Sequence, residues 1–341
     1  VGAAAALLAL AMAACSPADV NNTEASSGSD AGVTDGGPGD ASAKADADSG
    51  ANAACRAEAY ARCTKLAGCS QAYLENRFGS VAVCEQVMAG ECIAAVNAPG
   101  SAQTPAQVEL CMAAVTDPNT WSCDDYIFSQ NTPPACATPS GALANGASCL
   151  VSAQCQSTFC NVPVGSSCGV CAPPLQLHDS CATSNCPASL VCESTTKTCE
   201  TYSQLGASCG SAAPCAVGLT CTAGSNGSTC QTGVATSGAG CVFSGPGCSF
   251  AAGFACNIES STCQQVQFAA PSGACGVVSG QQAYCSGGAC IFGNCVPYGL
   301  PGQPCSMTST SAGCINGARC ITTGDGGTSG TCQVIGAGSC P

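Results

Sequence analysis

Residues 2–14 are an unbroken apolar run of Gly, Ala, Leu and Met that ends at Cys15. Its thirteen residues match the hydrophobic stretch of an export signal and are too few to span a bilayer. Over residues 16–51 the apolar pattern stops. Asp19, Glu24, Asp30, Asp35, Asp40, Asp46 and Asp48 stand against Lys44 alone, among Gly, Ser, Ala and Thr. Such a stretch buries no apolar area and is expected to stay disordered as an acidic linker. The pattern divides the chain into a leader (1–14), Cys15 with the linker (15–51), a helical segment (52–139) and a repetitive segment (140–341).

Residues 52–139 read as small, Ala-rich helices. Thr104-Pro105-Ala106-Gln107 has a capping Thr, Pro at the first helical position and Gln three residues after the cap. Ser122-Cys123-Asp124-Asp125 offers a second cap, with carboxylates where the helix dipole favours them, and Ser80 a third. Four short helices are expected, stapled by Cys55, Cys63, Cys69, Cys84, Cys92, Cys111, Cys123 and Cys136.

Residues 140–341 repeat every 28 to 34 residues, in units opening at Cys149, Cys181, Cys209, Cys241, Cys275 and Cys305. Cys155, Cys160, Cys168 and Cys171 complete the first unit, and Cys186, Cys192 and Cys199 the second. Cys215, Cys221 and Cys230 follow in the third, Cys248, Cys256 and Cys263 in the fourth. Cys285, Cys290 and Cys295 belong to the fifth, Cys314, Cys320 and Cys332 to the sixth, and Cys340 stands alone. A Gly turn precedes several opening cysteines, as in Gly206-Ala-Ser-Cys209. A turn residue and an apolar residue precede the third, as in Gly218-Leu219-Thr220-Cys221. Each unit reads as a miniature β-hairpin held by sulfur. The fold class expected is small and disulfide-rich: a stapled α-helical domain followed by an elongated array of β-hairpin cysteine repeats.

Composition agrees. Thirty-five cysteines in 341 residues leave 34, an even number, once Cys15 is set aside. Leu, Ile, Val and Phe are only 32 of the 202 residues from 140 to 341, so cross-links must replace a hydrophobic core there. A net charge of −13 argues against nucleic acid as a partner.

Met12-Ala13-Ala14-Cys15 resembles a bacterial lipobox, in which the cysteine receives the lipid, and Ser16 resembles a signal for outer-membrane sorting. The cysteine spacing and the Gly-apolar-x-Cys step resemble the four-cysteine repeats of surface lipoproteins in Gram-negative bacteria. Those repeats are matched to the Dickkopf N-terminal cysteine-rich domain and are similar to EB-type modules. The resemblance implies an extracytoplasmic, outer-membrane lipoprotein anchored through Cys15. It carries over no catalytic residue and no cofactor.

Candidate chemistry is sparse. His178, the one histidine, stands where neighbouring units place a turn glycine. Cys168-Gly-Val-Cys171 is the only C-x2-C and reads as disulfide-forming, without the context of a redox or zinc pair. Asp124-Asp125 reads as helix-terminal charge, and neither Asp325-Gly-Gly nor Asn226-Gly-Ser matches a working site. Tyr284, Phe292, Tyr298 and Leu300 cluster in the fifth unit as a possible contact patch. The function expected is non-catalytic, a surface spacer, adhesin-like or binding module. Its partners are a membrane, through the lipid, and an envelope or extracellular protein or glycan. An enzyme or inhibitor within 52–139 is the alternative, if Arg56, Arg62 and Lys65 gather there with carboxylates. Thiol-based metal or redox chemistry is a third.

Parity bears on connectivity. If every unit closes internally, one cysteine of the first unit and Cys340 remain, at opposite ends of an expected rod. Bridges between successive units (171 to 181, 199 to 209 and so on to 332 to 340) avoid that remainder. Alternatively, Cys340 opens a seventh unit.

Overall fold

The computed structural model describes residues 40–341 except 164, 183–185, 188–189, 194, 211–213, 217, 225–226, 242–246, 309–310, 323–326, 339 and 341. For 40–49 and 224 it describes the backbone alone. The leader, Cys15, Asn226 and Asp325 therefore lie outside the described residues.

Five α-helices are described: α1 (Asp40–Cys69), α2 (Gln71–Phe78), α3 (Val81–Asn97), α4 (Pro105–Thr116) and α5 (Cys123–Ile127). Helix α1 is far longer than a short stapled helix, and it begins inside the stretch expected to be a disordered linker. Alanines 41, 43, 45, 47 and 51 give that stretch the best helix-forming residue and let it continue from the packed part of α1. The three caps form as expected. Thr104 accepts from Gln107 N at 3.3 Å, Ser122 from Asp125 N at 3.1 Å and Ser80 from Val83 N at 3.2 Å. Ser70 caps α2 in the same way, and Gly79, at φ 70°, ends it.

Two disulfides, Cys55–Cys92 and Cys63–Cys84, hold α1 antiparallel to α3. Each helix spaces its pair by eight residues, a rise of about 12 Å, so the rungs match. Cys69–Cys123 ties the end of α1 to the start of α5, and Cys111–Cys136 ties α4 to the turn Pro134–Cys136.

The six units share one geometry. In each hairpin the third cysteine faces the last across the strands, as Cys221 faces Cys230 and Cys256 faces Cys263. The third bonds the opening cysteine and the last bonds the second, giving Cys209–Cys221 with Cys215–Cys230. The same pairs recur as Cys149–Cys160 with Cys155–Cys171, Cys181–Cys192 with Cys186–Cys199, and Cys241–Cys256 with Cys248–Cys263. Units five and six form Cys275–Cys290 with Cys285–Cys295 and Cys305–Cys320 with Cys314–Cys332. The bridges expected between successive units are therefore wrong. A hairpin holds its own four cysteines within bonding distance, with Cα separations of 5.7 Å for 209–221 and 5.5 Å for 215–230. The two left over, Cys168 and Cys340, bond to each other. The remainder was counted correctly, but its two cysteines do not lie at opposite ends of a rod: they meet.

The array bends because it packs on the helices. Tyr298 and Ile315, from the fifth and sixth units, are buried in one core with Leu74, Phe78, Val87, Val115 and Trp121. Edge-on rings run from Phe128 to Tyr73 to Phe250 to Tyr284, at centroid distances of 5.8, 5.1 and 4.8 Å, joining the helices to units four and five. At the first unit Ala102 N donates to Ala153 O at 3.0 Å, and buried Gln154 reaches Pro99 O through Nε2 at 2.7 Å. Close approach needs glycine where the sixth unit meets α3: a Cβ on Gly317 would sit 2.6 Å from both Glu91 Cδ and Val87 Cγ1.

Candidate functional site

His178 takes the conformation its position implies. Its φ is 69°, beside 90° at Gly146, 79° at Gly206 and 85° at Gly302. Its N–H donates to Cys199 O at 2.8 Å, as Gly206 N donates to Cys230 O at 2.7 Å. The imidazole is exposed, and Nδ1 lies 3.1 Å from Glu200 Oε1. No nucleophile is placed beside it by any contact the structure describes. Asp125 is spent on its cap: Ser122 Oγ donates to Oδ2 at 2.6 Å, and Asn131 Nδ2 donates to Oδ1 at 2.7 Å.

Cysteine sulfurs crowd within 4.8 Å of one another inside the units, as at Cys149, Cys155 and Cys160. These sulfurs are in disulfides and carry no thiolate to bind a metal. Seventeen disulfides take up all 34 cysteines of the described residues, a state that belongs to an oxidising, extracytoplasmic compartment. Among the described residues, no single helix is long and apolar enough to cross a membrane.

The expected contact patch in the fifth unit is dispersed. Tyr298 is buried, Leu300 packs against the shared core and Tyr284 joins the ring stack. Only Phe292, 84% exposed at a hairpin tip, faces outward. The cause is the folding of the array onto the helices, which periodicity does not reveal.

The three basic residues of the helical segment are also parted. Arg56 is exposed. Arg62 lines a cleft of about 280 Å³ together with Glu58, Glu91, Gln103, Val151 and Ile335, where the helices meet the first and sixth units. Its Nε donates to Glu58 Oε1 at 2.8 Å. Burial is the strongest single influence on Arg62 and opposes its charge, but Glu58, Tyr126 and Glu91 together outweigh it and raise its pKa. Burial pushes the Glu91 carboxyl up to about 7, against the opposing pull of Arg62 and of Arg319 from the sixth unit. Burial in turn lowers Arg319. Glu91 and Arg319 were not singled out in the sequence. The available signal was that Arg319 is one of only two basic residues after 140.

Lys65 lines a different and larger cavity of about 580 Å³. Its walls come from α1 (Ala57, Tyr60, Ala61, Gly68), α4 (Met112, Val115) and the connection carrying Pro118 and Trp121. Lys65 Nζ donates to Val115 O at 2.9 Å and lies 5.9 Å from the Tyr126 ring centroid. Burial holds its pKa below the ordinary lysine value, opposed by Asp117. Trp121 is buried, stacks edge-on against Tyr126 at 5.0 Å and donates from Nε1 to Gln130 O at 2.8 Å.

No family model, no curated protein and no solved structure matches this chain.

Proposed function

We propose that this protein is a non-catalytic binding module of the bacterial cell envelope, held at the outer membrane by lipid on Cys15. One observation supports binding over spacing: the array returns on itself. Cys168 and Cys340 are 172 residues apart in sequence with Cα atoms at 5.6 Å, so the two ends of the array meet, and its fourth, fifth and sixth units pack on the helical domain. Seventeen cross-links fix that surface rigidly, which lowers the ordering cost of capturing a ligand. Spacing or adhesion by a straight rod fits this closure less well. Arg56, Arg62 and Lys65 lie in three separate surroundings, so the gathering that would favour an enzyme or inhibitor reading of 52–139 does not support it here.

Two measurements test the reading. Cells fed an alkyne-tagged fatty acid should label the wild-type chain and not Cys15→Ser, and label retained by the variant would refute the anchor. Cross-linking on intact cells should give a discrete partner with oxidised protein that is absent after reduction. Identical profiles before and after reduction would refute a role for the folded surface.

A further inference from the structure

We propose that the cavity between α1 and α4 binds an amphiphilic monocarboxylate, its aliphatic body against Ala57, Ala61 and Trp121 and its carboxylate on Lys65 Nζ. The inference rests on the binding-module reading and gives it a ligand class.

At about 580 Å³ the cavity has the volume of small-molecule sites. Its origin is legible on α1. Ala57, Ala61, Thr64 and Gly68 follow at intervals of four, three and four residues, so they share one stripe of the helix and leave a groove where larger side chains would pack on α4. A Cβ on Gly68 would have nothing within 4 Å. Cys69–Cys123 forms part of the wall and fastens α1 to α5, so the groove is held open by a covalent bond. A preformed, mostly apolar cavity selects an apolar body.

The polar end follows from charge. Lys65 is the only lining residue with a formal charge. An ammonium has three donors, and one is used on Val115 O. The nearby Asp117 carboxylate is already engaged by Asn119 N at 2.9 Å, Asn119 Nδ2 at 3.3 Å and Thr120 Oγ1 at 2.6 Å. A partly desolvated ammonium beside an apolar wall favours one anionic oxygen pair at one end of the ligand. A glycan would need many more hydrogen-bonding groups than Thr64, Thr116 and Tyr60 supply. Nucleic acid would need more than one cation.

The chain's single tryptophan, Trp121, lines the cavity and reports its occupation. Oxidised full-length protein carrying Cys15→Ser, so that no attached acyl chain competes, is titrated with dodecanoate and with dodecanol below their aggregation limits. Dodecanoate should change Trp121 emission saturably, with one site per chain. Gly68→Leu fills the cavity and should weaken binding at least tenfold. Ala57→Leu, on the exposed rim, should do the same without touching the core. Lys65→Met should weaken dodecanoate about tenfold or more and leave dodecanol unchanged. No saturable change with dodecanoate, or wild-type affinity in Ala57→Leu, would overturn the site. Wild-type dodecanoate affinity in Lys65→Met would overturn the carboxylate assignment. Either failure leaves fatty-acid labelling at Cys15 and cross-linking to a partner unaffected.

Discussion

Cys168 and Cys340 form the one disulfide that closes neither the helical segment nor a single unit, with Cα atoms 5.6 Å apart across 172 residues of sequence. Every other bridge lies within the helical segment or within one unit and spans between 10 and 54 residues. This clasp brings the sixth unit against the first, where Val151 of the first lies beside Gly336.

Breaking the clasp should loosen the wrap and leave the units intact. The double variant Cys168→Ser, Cys340→Ser avoids a stray thiol and should lose about 2–3 kcal/mol. That is the lower end for a long loop, because the other sixteen bridges already shorten the chain between the two cysteines. Thermal unfolding measures the loss, and limited proteolysis should cut first near residues 161–171 and 334–340. An unchanged midpoint with unchanged cleavage would mean the wrap is held by packing alone.

Connectivity is directly checkable. Peptide mapping without reduction should recover Cys209 linked to Cys221 and Cys199 linked to Cys186, with no free thiol among the 34 cysteines. A peptide linking Cys199 to Cys209 is the outcome that would falsify the internal pairing.

Glu91 should make stability fall as pH rises. Its carboxyl titrates near 7 when folded, against 4.5 as the ordinary value, so the folded chain holds the proton more tightly. That contribution is complete below pH 4.5 and is lost as pH rises through about 7. The groups facing it are Arg62 on α1 and Arg319 on the sixth unit, with Glu58 beside Arg62. Glu91→Gln should match wild type near pH 4 and exceed it at pH 8 by about 1–3 kcal/mol, with a flatter profile between. A variant less stable than wild type at pH 8 would show that Glu91 is paired and ionised.

His178 should be improvable. A non-glycine residue at φ 69° costs about 1 kcal/mol, and its five counterparts include Gly146, Gly206, Gly238 and Gly302. His178→Gly should stabilise the second unit by about that amount and slow hydrogen exchange of the Cys199 N–H. His178→Val should do the reverse. Faster exchange in His178→Gly would show that the Glu200 contact outweighs the backbone term.

Much of the local structure was legible because its causes are local. Thr104, Ser122 and Ser80 cap helices where their spacing implied, and a turn position kept its left-handed backbone even with histidine in it. The Gly-apolar-x-Cys step became a hairpin wherever it is described. The candidate cavities were only half visible. Arg62 and Lys65 stood out as cations, while Glu91, Arg319 and Trp121 did not, since their partners lie on elements far away in sequence.

By itself, then, the sequence determined the elements, the closed cysteine count and the two cysteines left over, because caps, turns and parity act within a few residues or by number alone. The tertiary structure decided that the array wraps the helices, that Cys168 meets Cys340 and that Lys65 borders an apolar cavity. The first two depend on burial of Tyr298 and Ile315 in the core shared with α2 and α3 and on Phe250 packing against Tyr73, and the third on the meeting of α1 with α4. Burial of that kind is a property of surfaces that meet only after the chain has folded, and no short stretch of sequence carries it.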